Sequence, residues 1–183
     1  MIYELALIIF AVVVFAVYNI TMVALYDVPA SLSETFYLLN EERKGYGYFF
    51  TAMMWVVAFL LLPAWIGISD RLGAWECYCT PVAFAAVASI CCVGAAPAFR
   101  NIGMESKVHS ISAKLAAFFA LAWFLVACWR IMYIPIIACV ITLVLGYKTK
   151  TLRLCATYWL ELAAYSATFV TLAVECIWQM LAV

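Results

Sequence analysis

The sequence predicts an all-α, polytopic membrane protein: a bundle of six transmembrane helices with an amphipathic interfacial helix in the first loop. Three observations lead there. Of 183 residues, 70% are hydrophobic and 11% are charged, whereas a soluble domain runs near about 45–50% apolar and about 25% charged. The mean hydropathy is +1.11. The apolar residues also fall into runs of the length that crosses a bilayer, about 20 residues. A soluble core of this size could not hide so much apolar surface. One transmembrane domain over 1–183 is the simplest organisation.

The expected spans are 2–26, 46–68, 75–99, 111–129, 132–147 and 154–181. The first begins without a basic leader, carries Glu4, and exceeds the apolar core of a signal peptide, so it is read as a retained helix. Asn19-Ile20-Thr21 matches a glycosylation sequon but lies inside that span, where no glycan is expected. The fifth is the shortest, with Pro135 near its start. Pro63, Pro81 and Pro135 can kink their helices and free carbonyls. The small residues of 75–99 (Ala83, Ala85, Ala86, Gly94 among them) permit close approach and place that helix at the centre of the bundle. Tyr46, Tyr48, Trp75, Tyr78, Trp129, Tyr133, Tyr147, Trp159 and Trp178 fall near span ends and are expected as interfacial anchors.

Lysine and arginine in short loops set orientation. The connections after the first, third and fifth spans, with the start of the fourth, hold Arg43, Lys44, Arg100, Lys107, Lys114, Lys148, Lys150 and Arg153. Only Arg71 and Arg130 lie on the other side. This asymmetry predicts that those loops are cytoplasmic and both termini non-cytoplasmic.

The first loop has internal order. Ser31 and Glu34 have the spacing of a capping box, in which the serine hydroxyl accepts from the Glu34 amide and the glutamate reaches back to the serine amide. Leu32, Phe36 and Leu39 recur at helical spacing and Gly45 supplies a stop. A short helix over 32–43, lying in the interface, follows. It is either a connector sealing one end of the bundle or a lid over a polar site.

Carboxylates at membrane depth are costly and mark functional sites. Glu161 and Glu175 both lie in the last span, 14 residues apart. That spacing puts them on one face, about 21 Å apart along the axis. Tyr165, Thr168 and Gln179 share the face. The stripe is a relay or a ligand site in one reading and an interhelical packing seam in the other. Asn19, Tyr18, Thr51, Thr80 and Lys114 are the intramembrane polar groups that could meet it, and Lys114 is expected to pair with Glu161. His109, the one histidine, stands beside Ser110 and three residues before Ser112. Used with Ser112 or Glu34, it could serve as a general base at the cytoplasmic face. The plainer reading makes Ser110 the N-cap of the fourth span, with His109 at the interface. A single histidine argues against a three-histidine zinc site and a bis-histidine haem within one chain. No metal or other cofactor is expected. The eight cysteines read as small buried apolar residues, though Cys77, Cys79, Cys128 and Cys176 share the outer end, where an oxidising compartment would permit a disulfide.

The helix-prone Ser31-Leu32-Ser33-Glu34 segment and the His109-Ser110-Ile111-Ser112 opening of the fourth span resemble small six-span DRAM-like membrane proteins. The resemblance implies the six-span layout; it carries over no activity and no site residue.

The leading functional expectation is a non-enzymatic multi-pass protein with a polar intramembrane site near Glu161: a small transporter, channel subunit or ligand sensor. One alternative is a membrane-embedded enzyme acting on a lipid head group. Another is a structural subunit of a larger complex. Membrane lipids are the expected partners, with a homo-oligomer or larger assembly. Zero net charge gives no basis for nucleic-acid binding.

Overall fold

The computed structural model describes residues 2–72, 76–100 and 103–181, and for 76 and 77 the backbone only. The described residues are helical and contain no strand. The elements are α1 (Ile2–Tyr26), α2 (Thr35–Glu42), α3 (Tyr48–Ser69), α4 (Glu76–Ala95), α5 (Met104–Ala127), a 3-10 turn (Trp129–Ile131), α6 (Tyr133–Lys148) and α7 (Ala156–Leu181). Five of them, α1, α3, α4, α5 and α7, are long and apolar enough to cross a membrane. The chain is an integral membrane helix bundle on that ground. α6 has 16 residues, about 24 Å of helix, which is short of the roughly 30 Å hydrocarbon core.

Helix ends follow local chemistry. α1 stops at Asp27, which turns the chain at φ 61°. α4 ends at Ala95 rather than at the expected 99, because the residue before Pro97 disfavours the helical region. α5 starts at Met104, well before the expected 111. Its first two turns are polar, and hydropathy reads them as loop. Glu105 in the first turn suits the positive end of the helix dipole. Ser110 is therefore inside α5 and not its cap; Gly103 holds that position. The loop helix covers Thr35–Glu42, shorter than the expected 32–43, and Gly45 turns the chain after it at φ 98°.

Packing order corrects one expectation. The most connected helix is α3, which touches α1, α2, α4 and α7. The small residues of α4 instead let it fit tightly between α3 and α5. Gly94 shows the closeness: a methyl there would meet Met54 at 3.0 Å. Thr51 donates to the Gly94 carbonyl at 2.7 Å and Trp55 to the Cys91 carbonyl at 2.9 Å, satisfying the last turn of α4. α6 packs along α7, where Gly146 lies under the Trp159 indole. Trp159 is thus buried packing, not an interfacial anchor; it donates to Thr151 at 2.9 Å. Tyr46, Tyr48, Tyr78, Trp129, Tyr133, Tyr147 and Trp178 are exposed. Trp75 lies outside the described residues.

Candidate functional site

The site is built on the segment that joins α1 to α2. Residues 31–36 form a tight turn, with the Glu34, Thr35 and Phe36 amides donating to the carbonyls three residues back. The capping box forms by half. Glu34 donates its amide to Ser31 Oγ at 3.2 Å, but its carboxylate turns away to an ion pair with Arg100. Leu32, Ser33 and Thr35 are buried. A loop carrying this much backbone can be buried only if its polar groups find partners.

They find them on three helices. The Leu32 amide donates to Glu161 Oε2 at 2.7 Å. The Tyr158 amide, one of the orphan donors of the first turn of α7, donates to the Ala30 carbonyl at 3.1 Å. Loop and helix therefore cap each other: the loop supplies a carbonyl to the helix start, and the helix supplies a carboxylate to the loop turn. Cys155 adds an S–H contact to the Val28 carbonyl at 3.2 Å. Tyr18 of α1 and Thr35 share a hydroxyl bond of 2.6 Å. Ser33 Oγ meets His109 Nε2 of α5 at 3.0 Å, and His109 Nδ1 lies 2.9 Å from the Ala96 carbonyl.

Beneath this loop is a cavity of about 280 Å³ between α5 and α7, floored by α3 and α4. α5 and α7 scarcely touch each other, because each packs on its own partner, α4 and α6. The α5 wall is alanine: Ala113, Ala116, Ala117 and Ala120. Small side chains leave the gap unfilled. From α7 come Leu160, Glu161, Ala164, Tyr165 and Thr168. Ala113, Ala117, Leu160 and Ala164 are also exposed on the outer surface, so the cavity is a groove opening sideways from the bundle. Its lining is mostly apolar. Trp65, at its floor, is fully buried, and its indole N–H meets no acceptor among the described residues.

The structure thus gathers Glu161, Tyr165 and Thr168 on one groove and brings His109 to its closed end through Ser33. Tyr165 donates to Met54 Sδ at 3.3 Å and packs on Phe15, while Thr168 bonds back to the Ala164 carbonyl of its own helix. Other sequence candidates lie elsewhere. Lys114 is exposed and makes no ion pair with Glu161; on α5 it points out of the bundle while its neighbour Ala113 lines the groove. Ser112 is buried, but the hydroxyl at His109 is that of Ser33. Asn19 is spent on the Phe15 carbonyl and on the Tyr158 hydroxyl. Glu34 is held by Arg100, not by His109. Glu175 accepts from Gln179 of its own helix at 3.0 Å, at the far end of the bundle. Cys128 and Cys176 are buried free thiols, Cys79 is buried beside them, and Cys77 lies outside the described side chains.

Two contributors escaped the sequence reading. Ser33 lies between the two capping-box residues, Ser31 and Glu34, and has no role of its own in that motif. The alanine face of α5 carries no polar mark and drew no expectation from the sequence. Comparison with known proteins gives no match: no family model fits the chain, and no curated protein or solved structure is significantly similar to it.

Proposed function

We propose that this protein binds an amphiphile drawn sideways from the bilayer into the α5–α7 groove, as a ligand sensor or small carrier. One observation carries the reading: Glu161 is a carboxylate set in a mostly apolar groove that opens on the outer surface of the bundle. Small-molecule sites share that character, with apolar walls and a few placed polar groups. The volume lies at the small end of such sites, about 300–1,000 Å³, so the groove takes part of a chain and leaves the rest in lipid. The carboxylate favours a head group that donates hydrogen bonds, such as a hydroxyl or an amine, over a phosphate. In this reading α6 completes a six-span layout of the DRAM-like kind, its short length met by local thinning of the bilayer and snorkelling of flanking residues. The basic loops then face the cytoplasm with the closed end of the groove, and both termini lie outside.

Photo-crosslinking tests this. Protein in nanodiscs is exposed to a long-chain alcohol bearing a diazirine, and adducts are mapped by peptide mass spectrometry. Adducts concentrate on the α5 and α7 groove residues, and Ala164→Phe removes them without lowering thermal stability. Glu161→Gln weakens capture while the fold is kept. Adducts spread evenly over the outward faces of α1 and α6 would sink the proposal.

A further inference from the structure

We infer that Ser33 and His109 form a nucleophile–base pair that cleaves an acyl ester held in the α5–α7 groove. This goes beyond binding and rests on it, since the groove must first deliver the ester. The proton positions follow from the partners. A backbone carbonyl can only accept, so His109 Nδ1 carries the hydrogen that goes to Ala96 at 2.9 Å. In the neutral ring Nε2 then holds the lone pair, and the Ser33 hydroxyl donates to it across 3.0 Å. Nucleophile, base and an acceptor that fixes the base are the recognised parts of an activated serine.

The surroundings fit the assignment. Ser33 is the member of the pair that lines the groove; His109 sits behind it, buried. Phe99 stacks on the imidazole at 5.2 Å and 28°, Tyr37 meets Phe99 edge-on, and the Arg100 guanidinium lies over Tyr37 at 4.5 Å. The ring is therefore held on a face and at both nitrogens. The Ser33 amide donates to no backbone carbonyl among the described residues, which leaves it able to meet a developing oxyanion. Glu161, bonded to the adjacent Leu32 amide, disfavours an anionic head group near the reacting carbonyl. The substrate class is an uncharged or cationic acyl ester, with a monoacylglycerol as the simplest probe.

The steps balance with water as co-substrate. Ser33 Oγ attacks the ester carbonyl and its proton passes to His109 Nε2. The tetrahedral intermediate collapses, and the leaving alcohol oxygen takes that proton from Nε2. Water then attacks the acyl-serine and gives a proton to Nε2, which returns it to Ser33 Oγ as the fatty acid leaves. No oxidant, reductant or metal is needed.

Two measurements on the intact protein in nanodiscs test the pair. An alkyl fluorophosphonate is applied and adducts are located by peptide mass spectrometry; fatty-acid release from monoacylglycerol is followed in parallel. The expected result is an adduct on Ser33, absent in Ser33→Ala, and hydrolysis lowered about 100-fold or more by His109→Gln. The wild-type labelling needs no variant, so misfolding of a mutant cannot mask the answer. If Ser33 stays unlabelled and no fatty acid is released while the diazirine alcohol still marks the groove, the pair is a structural latch and the catalytic inference falls, leaving the binding site. If neither reagent marks the groove, both readings fall.

Discussion

The two carboxylates of α7 stand on the same face of one helix and live in different surroundings. Glu161, at the loop end, is bonded by the Leu32 amide from 129 residues away and lines an apolar groove. Glu175, at the other end, bonds within its own helix to Gln179 and lines a wider crevice of about 730 Å³ that it shares with Arg71 and Arg130. One crevice is walled by alanines and roofed by a buried loop; the other is rimmed by cations and by Trp129, Trp178 and Tyr133. The difference teaches that depth of a carboxylate in a span is a weak guide to its role. What separates the two is whether a distant segment of chain is committed to the group.

The largest expected effect tests that difference directly. Glu161→Ala removes the acceptor of a buried amide, and a stranded buried donor costs about 1–3 kcal/mol. Removing a partly buried charge offsets some of this, but Leu32 has no second acceptor to turn to among the described residues. Glu161→Gln keeps a carbonyl oxygen in place and loses much less. Glu175→Ala, at a half-buried group whose one bond is within its own helix, should lose no more than about 0.5–1.5 kcal/mol, the net worth of that bond. Thermal unfolding in one detergent checks all three. Equal losses from both alanine variants would erase the distinction between the ends.

A smaller effect probes how the loop is tied down. Tyr158 holds the loop by its amide to Ala30 and holds α1, from which the loop departs, by its hydroxyl to Asn19 at 3.3 Å. Tyr158→Phe removes only the second bond. Asn19 keeps its Nδ2 bond to the Phe15 carbonyl, but its buried Oδ1 loses its donor; because that bond is long, the loss should lie at the lower end of the about 1–3 kcal/mol of a stranded buried group. Amide exchange across 28–36 should rise modestly while that of α3 is unchanged. A large rise throughout the bundle would mean that this junction holds the helices together and is not merely the seat of the loop.

Much of the fold was legible because hydropathy is written residue by residue. The ends of α1 match the expectation, and those of α3, α6 and α7 lie within two residues of it. The misses share a physical cause. α5 begins in a polar run that hydropathy discards, although Met104, Glu105 and Lys107 are good helix formers. A capping box is a local pattern and makes Glu34 a local cap, yet its side chain is taken by Arg100, which no short-range pattern reveals. Of the site, Glu161, Tyr165, Thr168 and His109 were each visible as oddities: polar groups on apolar helices, or the one histidine. Their convergence was not visible. It depends on the order of helices around α3 and on a loop that reverses into the bundle, and neither leaves a periodic mark in the sequence. Ser33 illustrates the limit, since the local pattern makes Ser31 the capping serine and gives Ser33 no role until His109 arrives beside it.

Lys114 gives the smallest and most discriminating prediction. From the sequence it is the natural counter-ion for Glu161, since both lie near the same leaflet. In the fold it stands on the exposed face of α5, and Glu161 is satisfied by an amide instead. Lys114→Ala should therefore change stability by no more than about 0.5 kcal/mol, and should leave groove labelling by the diazirine alcohol intact. The double variant with Glu161→Gln should show additive effects, because residues without a shared partner do not couple. A coupling well above about 0.5 kcal/mol would place the ammonium at the mouth of the groove. The carboxylate would then belong to a charge pair and not to a ligand, and the contrast between the two ends of α7 would have to be redrawn around Lys114.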